Sequence, residues 1–123
     1  MGYVFDELSR DVINAALAVH RALGPGFLES TYERALRIAL EHRGLQFESQ
    51  YRIHAVFEGV IVGAARIDFL VDKSLIVELK SVESLAPVHF AQVRAYLRAT
   101  RLHVALLINF NAPRLTIRRI LMD

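Results

Sequence analysis

Phe5, Leu8, Val12, Ala16, Val19 and Leu23 recur three or four residues apart, the spacing that lines one face of an α-helix. The run GPG at 24–26 ends that helix, because neither proline nor glycine continues it. A second helix is predicted from about Leu28 to Arg43, with Leu28, Tyr32, Leu36, Ala39 and Leu40 turned inward and Gly44 placed as its left-handed cap. The period then changes. LQFESQYRIHAVF alternates as a strand does, EGV turns, IVGAARIDFLV returns, DKS turns again, and LIVELK completes an antiparallel meander of three strands. Pro87 suits the first turn of a third helix running to roughly Thr100. Beyond it, HVALLINF reads as a buried strand and LTIRRILM as a final alternating one. The order ααβββαββ predicts an α/β fold in which helices flank one central mixed β-sheet.

A chain of 123 residues is most economically one domain, 1–123, without repeats or linkers. The hydrophobic share of 54 % is high for a small soluble chain, and a second subunit covering part of that surface makes a homodimer a live alternative to a monomer. No apolar run reaches the roughly 18 residues of a membrane span, and MGYVFDELSR lacks the basic start and apolar core of a signal peptide, so no membrane partner and a cytoplasmic location are expected. The absence of cysteine excludes disulfides, thiolate metal sites and a cysteine nucleophile.

Charge is distributed unevenly. Residues 1–87 carry nine basic and twelve acidic side chains, whereas residues 88–123 carry Arg94, Arg98, Arg101, Arg114, Arg118 and Arg119 against Asp123 alone. The planar fork of arginine matches phosphate oxygens, so this basic stretch suggests a polyanionic partner, with a solvated helix face and a polar strand edge as the plainer alternative.

The unusual chemistry lies in IDFLVDKSLIVELKSVE, residues 67–83. Alternation puts Glu78 and Lys80 on one face with Ile76, and a turn of three residues sets Asp68 directly across from Glu78. Two carboxylates then meet on a largely apolar sheet, where each buried charge costs several kcal/mol unless it is paired or coordinated. Lys80 offsets one of them, and a divalent hard cation such as magnesium, which takes carboxylate, carbonyl and water oxygens, would offset both. An ordinary cross-strand cluster of charges is the plain alternative for so short a pattern. Other chemistries fit less well, since GPGFLES lacks the lysine and spacing of a phosphate loop and the five histidines show no zinc spacing.

Gly26, Glu29 and Tyr32 in GFLESTY, followed in order by ARIDFLV, LIVELKSVE, PVHFAQVRAYL and LLINFNAPR, resemble the GxxExxY family, a group assigned to the PD-(D/E)XK phosphodiesterase superfamily. The resemblance covers nearly the whole chain and implies the restriction-endonuclease-like fold of many nucleases. It places the strand aspartate of that superfamily at Asp68, the (D/E)XK motif at Glu78, Leu79 and Lys80, and the helical glutamate at Glu29, with Ile67 standing where the name has proline. Read from the residues alone, Glu29 is a first-turn acid complementing the helix dipole, and Tyr32, three residues on, is core packing with a polar tip. Only the resemblance implies that Glu29 is a metal ligand. His89, Gln92 and Tyr96 form a polar stripe on the third helix, and the last two resemble the QxxxY element of RecB-like nucleases, which orients the site and binds the strand. Asn109 and Asn111 are either turn formers or phosphate contacts.

The expectation is therefore a magnesium- or manganese-dependent nuclease. Glu29, Asp68, Glu78 and the Leu79 carbonyl would hold the metal, Lys80 would act with them in catalysis, and Tyr32, Gln92, Tyr96, Arg94 and Arg98 would contact nucleic acid, with DNA the expected substrate. A non-catalytic nucleic-acid- or protein-binding module on the same fold is the alternative, and a purely structural subunit a third reading.

Overall fold

The computed structural model describes residues 6–122. Helix α1 (Glu7–Leu23) starts at Asp6, whose carboxylate accepts the Ser9 N–H at 2.8 Å, and stops at Gly24, whose φ of 67° takes the chain out of the helix. Phe5, expected on its inner face, lies outside the described residues. Helix α2 (Glu29–His42) is followed by Gly44 at φ 68°, the left-handed residue the sequence predicts there. Leu28 is a correction: it is the residue before the helix, with extended backbone, and its side chain is 76 % exposed rather than inward. The remaining elements are β1 (Phe47–Phe57), β2 (Val60–Val71), β3 (Leu75–Lys80), α3 (Pro87–Thr100), β4 (Val104–Asn109) and β5 (Thr116–Leu121), in the predicted order.

The five strands form one sheet in the order β1-β2-β3-β4-β5, antiparallel except for β3 against β4. That parallel pair follows from α3, the crossover a parallel connection needs. Both meander turns are built from consecutive left-handed residues, Glu58 and Gly59 in the first, Asp72 and Lys73 in the second. Such turns match the right-handed twist of the strands they join. The second fixes the register Val71↔Leu75, Leu70↔Ile76 and Phe69↔Val77, and continuing it brings Asp68 opposite Glu78.

Each face of the sheet buries one helical layer. Val12, Ala16 and Val19 of α1 and Tyr32, Leu36 and Leu40 of α2 pack on Phe69, Val71, Val77, Leu79, Leu106 and Ile108. Val93 and Leu97 of α3 pack on Ile53, Ile67, Leu70, Ile76, Ala105 and Leu107. A large apolar side chain buried in this way contributes roughly 1.5–3 kcal/mol relative to exposure.

One irregularity in the sheet sets where the two helical layers meet. Phe47 and Phe69 belong to the α1/α2 face, yet Tyr51 and Ile67, which pair with one another, belong to the α3 face. Strict alternation would keep all four on one side. The reversal occurs at Gln50, which sits inside β1 with φ 53°, beside Asp68 of β2. A left-handed non-glycine residue rolls the strand about its axis, so the side chains here emerge at the seam between the two layers.

Candidate active site

Asp68 and Glu78 are both buried, at 8 % and 4 % exposure, at the point where pairing between β2 and β3 stops. Each carboxylate reaches across to the other strand. The Leu79 N–H donates to Asp68 Oδ2 at 2.8 Å, and the Asp68 N–H donates to Glu78 Oε1 at 3.2 Å. A strand residue directs its N–H and C=O to the same neighbour, so the Leu79 carbonyl also points to the β2 side, beside Asp68. Burial and the facing Asp68 push the Glu78 carboxyl up to about 9, outweighing the lowering effect of Lys80. At neutral pH the pair thus holds a proton in the position where a cation would relieve the same repulsion.

Both helical layers reach this seam. From α2, Glu29 is half-buried in the first turn, and its carboxyl is raised by burial and by Asp68, with Lys80 opposing. From α3, Gln92 Oε1 accepts the Lys80 ammonium at 3.0 Å, and the Tyr96 phenol is raised by burial and then by Glu78 and Asp68, which places its hydroxyl in the field of both carboxylates. The structure brings Asp68, Glu78, Leu79, Lys80, Gln92 and Tyr96 together, with Glu29 at the margin. Among the described residues no three acidic or histidine side chains are grouped closely enough to enclose a metal ion as they lie. Asp68 and Glu78 meet, and Glu29 of α2 lies near enough for the Asp68 charge to raise its carboxyl.

Three expected substrate contacts are placed elsewhere. Tyr32 is fully buried, its ring stacked on Phe110 with centroids 4.7 Å apart, and its hydroxyl donates to the Gly24 carbonyl and accepts the Phe27 N–H at 3.1 Å. It is a clamp on the loop that delivers Glu29, not a substrate contact. The Ser81 hydroxyl donates to the Phe27 carbonyl at 2.7 Å and ties the same loop to the end of β3. Arg94 and Arg98 are exposed, but with Val93 and Leu97 facing the core they fall on the flank of α3 away from Gln92 and Tyr96, since residues turn 100° each along a helix. Arg98 borders a cleft with Arg101, Leu102, His103 and Met122 instead. Asn109, 2 % exposed, spends its amide on Val82 N–H and C=O at 3.1 and 2.9 Å and is a structural bridge between two loops.

The sequence pattern did not disclose Gln50 or Glu33. The Gln50 amide donates to Glu33 Oε2 at 2.8 Å and to Asp68 Oδ1 at 3.3 Å, linking α2 to the carboxylate pair. Its available signal was slight: one polar residue between Ser49 and Tyr51 in an alternating strand, with nothing to mark the left-handed backbone.

Removing the Tyr32 hydroxyl tests the clamp. Tyr32→Phe leaves the Gly24 carbonyl and the Phe27 N–H short of a partner, so urea unfolding is expected to show a loss of about 1–3 kcal/mol. A change of only a few tenths would mean that the loop holds itself.

A family model of the PD-(D/E)XK nuclease superfamily matches residues 6–120. The solved structure of SSO0001 superposes with a TM-score of 0.59 at 18 % identity, covering 99 % of this chain and 72 % of that one. An alkaline exonuclease, LHK-Exo, from Laribacter hongkongensis superposes with a TM-score of 0.55 at 16 % identity, covering 98 % of this chain and 73 % of the other. At such identities these two likenesses concern the fold. No curated protein sequence matches the chain significantly.

Proposed function

Because this chain belongs to the PD-(D/E)XK nuclease superfamily, we propose that it is a metal-dependent phosphodiesterase that cleaves nucleic acid, with its catalytic centre at Asp68, Glu78 and Lys80. The observation that carries this reading is the pair of buried carboxylates opposed across the end of the β2–β3 ladder, with a lysine two residues further along the strand. The donor set suits a hard divalent cation: carboxylate oxygens of Asp68 and Glu78, the Leu79 carbonyl on the same side, and Glu29 within reach through a side-chain movement. Magnesium or manganese held there would supply a water of lowered pKa and positive charge for the scissile phosphate.

The chain's own groups account for the rest. The Leu79 N–H fixes the Asp68 carboxylate, so one ligand is oriented before any cation arrives. Gln92 holds the Lys80 ammonium at 3.0 Å, aiming a donor at the oxygens of a phosphate lying over the pair, where negative charge develops. Tyr96, whose hydroxyl feels the charge of both carboxylates, would serve as a hydroxyl donor for the bound strand. Within the superfamily we assign the chain to the GxxExxY group, on Gly26, Glu29 and Tyr32, of which Tyr32 holds the loop that leads to Glu29. Nucleic acid is the substrate class the superfamily suggests, and DNA is the substrate proposed within it. A binding module that has kept the fold without turnover is the second reading, favoured by the lack, among the described residues, of three acidic or histidine side chains grouped around one point.

Proton release on metal binding tests the site. Glu78, pushed up to about 9, is protonated at pH 7 and must lose that proton to become a ligand. Calorimetric titration with manganese in buffers of different ionisation enthalpy is expected to report about one proton released per ion at pH 7, with affinity rising toward pH 9. Binding with no proton release and no pH dependence would place the metal elsewhere.

A further inference from the structure

Beyond Ile53 and Ala65, strands β1 and β2 leave the body of the protein and continue as a two-stranded ribbon. All eleven residues from 54 to 64 are exposed. The ribbon is nevertheless apolar: Val56, Phe57, Val60, Ile61 and Val62 are 61–64 % exposed. Val56 pairs with Ile61 and Phe57 with Val60, so the two pairs project to opposite faces, and Val62 is the extra residue of the bulge opposite Ala55 and Val56. An isolated two-stranded ribbon with both faces in water is marginal, and this one presents large aliphatic and aromatic side chains on both. We infer that the β1–β2 ribbon is an interaction surface whose occupant is the ribbon of a second copy of this chain.

Three observations select that occupant. From Ala55 to Ala64 the only charged side chain is Glu58 at the turn, so the ribbon tip offers no cation to a phosphate backbone. The surface is therefore suited to an apolar partner. Strand β1 is also an edge of the sheet, and its outer row of backbone groups is open to a further strand. A second copy presents the same edge and the same apolar pairs, which is the self-complementarity a two-fold contact requires. Lastly, Val56, Phe57, Val60, Ile61 and Val62 are each 61–64 % exposed, a concentration of large apolar side chains of the kind that marks a contact with another protein.

The test is the state of association of the whole chain. Sedimentation equilibrium from about 1 to 100 μM is expected to give twice the chain mass of 13.9 kDa. Val60→Glu and Ile61→Glu, both at positions exposed in the single copy, should weaken association at least a hundredfold while leaving the far-ultraviolet circular dichroism and the manganese-induced melting shift unchanged. Val88→Glu, an exposed apolar position on α3, should associate as the wild type does. A wild type that stays monomeric at 100 μM overturns the inference, as does a Val60→Glu protein that still dimerises. Sedimentation of the wild type with neutral phosphatidylcholine vesicles in place of self-association would assign the ribbon to a lipid surface and overturn it too. Because the metal response is read separately, these outcomes leave the catalytic proposal untouched.

Discussion

Lys80→Ala is expected to lower nucleic-acid cleavage by about a hundredfold or more while leaving substrate affinity and metal affinity close to wild type, as removal of a transition-state electrostatic group does. The ground for this separation is geometric. The Lys80 ammonium is held by Gln92 at 3.0 Å, so its removal uncovers a neutral amide. Its charge does lower the Glu78 carboxyl, but less than burial and Asp68 raise it. A lysine whose task was only to neutralise the acids would behave differently. Its loss would lower the melting temperature, and added metal would largely restore it. Single-turnover cleavage, binding and melting measured on one preparation separate the two roles, and unchanged cleavage would remove Lys80 from the mechanism.

Asp68→Asn is expected to abolish the response to metal without harming the fold. Asparagine keeps an oxygen to accept the buried Leu79 N–H, whereas alanine would orphan it, so Asn is the informative change. At a free manganese concentration a hundred times its dissociation constant, the wild type should gain about 2.7 kcal/mol. For a chain of this size that is roughly 10 °C in melting temperature, and the variant should gain almost none. Metal-free, the variant should melt close to the wild type, because the Leu79 N–H keeps an acceptor and Glu78 already carries its proton at neutral pH. The pH dependence follows from the sign of the Glu78 shift. A carboxyl raised from 4.5 to about 9 contributes stability that is fully present below pH 4.5 and is lost as pH rises through 9. The metal-free wild type therefore loses this contribution toward alkaline pH, and saturating metal, which binds the ionised form, offsets the loss. Equal metal shifts in wild type and Asp68→Asn would contradict the site.

The order of elements was legible because each segment kept one period and each boundary carried its own chemistry. GPG closes α1, Gly44 closes α2, Pro87 opens α3, and DKS fixes the register that sets Asp68 across from Glu78. Alternation along β3 likewise placed Glu78 and Lys80 together. The sequence could not disclose the roll at Gln50, since the left-handed backbone of a glutamine is imposed by the surrounding packing and not by any local preference. That roll decides which helices meet the carboxylates, so Gln50 and Glu33 went unseen. Tyr32 misled for a related reason. A tyrosine beside an acid on one helical face reads equally as a contact or as a clamp, and only the Gly24 and Phe27 partners decide for the clamp. Arg94 and Arg98 were assigned by charge, which carries no information about the flank of α3 they occupy.

The most direct test of the central claim is cleavage itself. Purified wild-type protein would be incubated with end-labelled single- and double-stranded DNA and RNA in magnesium, in manganese and in excess chelator, beside Asp68→Asn. Strand cleavage is expected from the wild type in at least one of the two metals, none in chelator, and none from Asp68→Asn under any condition. Wild-type protein that binds these substrates and cleaves none of them in either metal would contradict that claim.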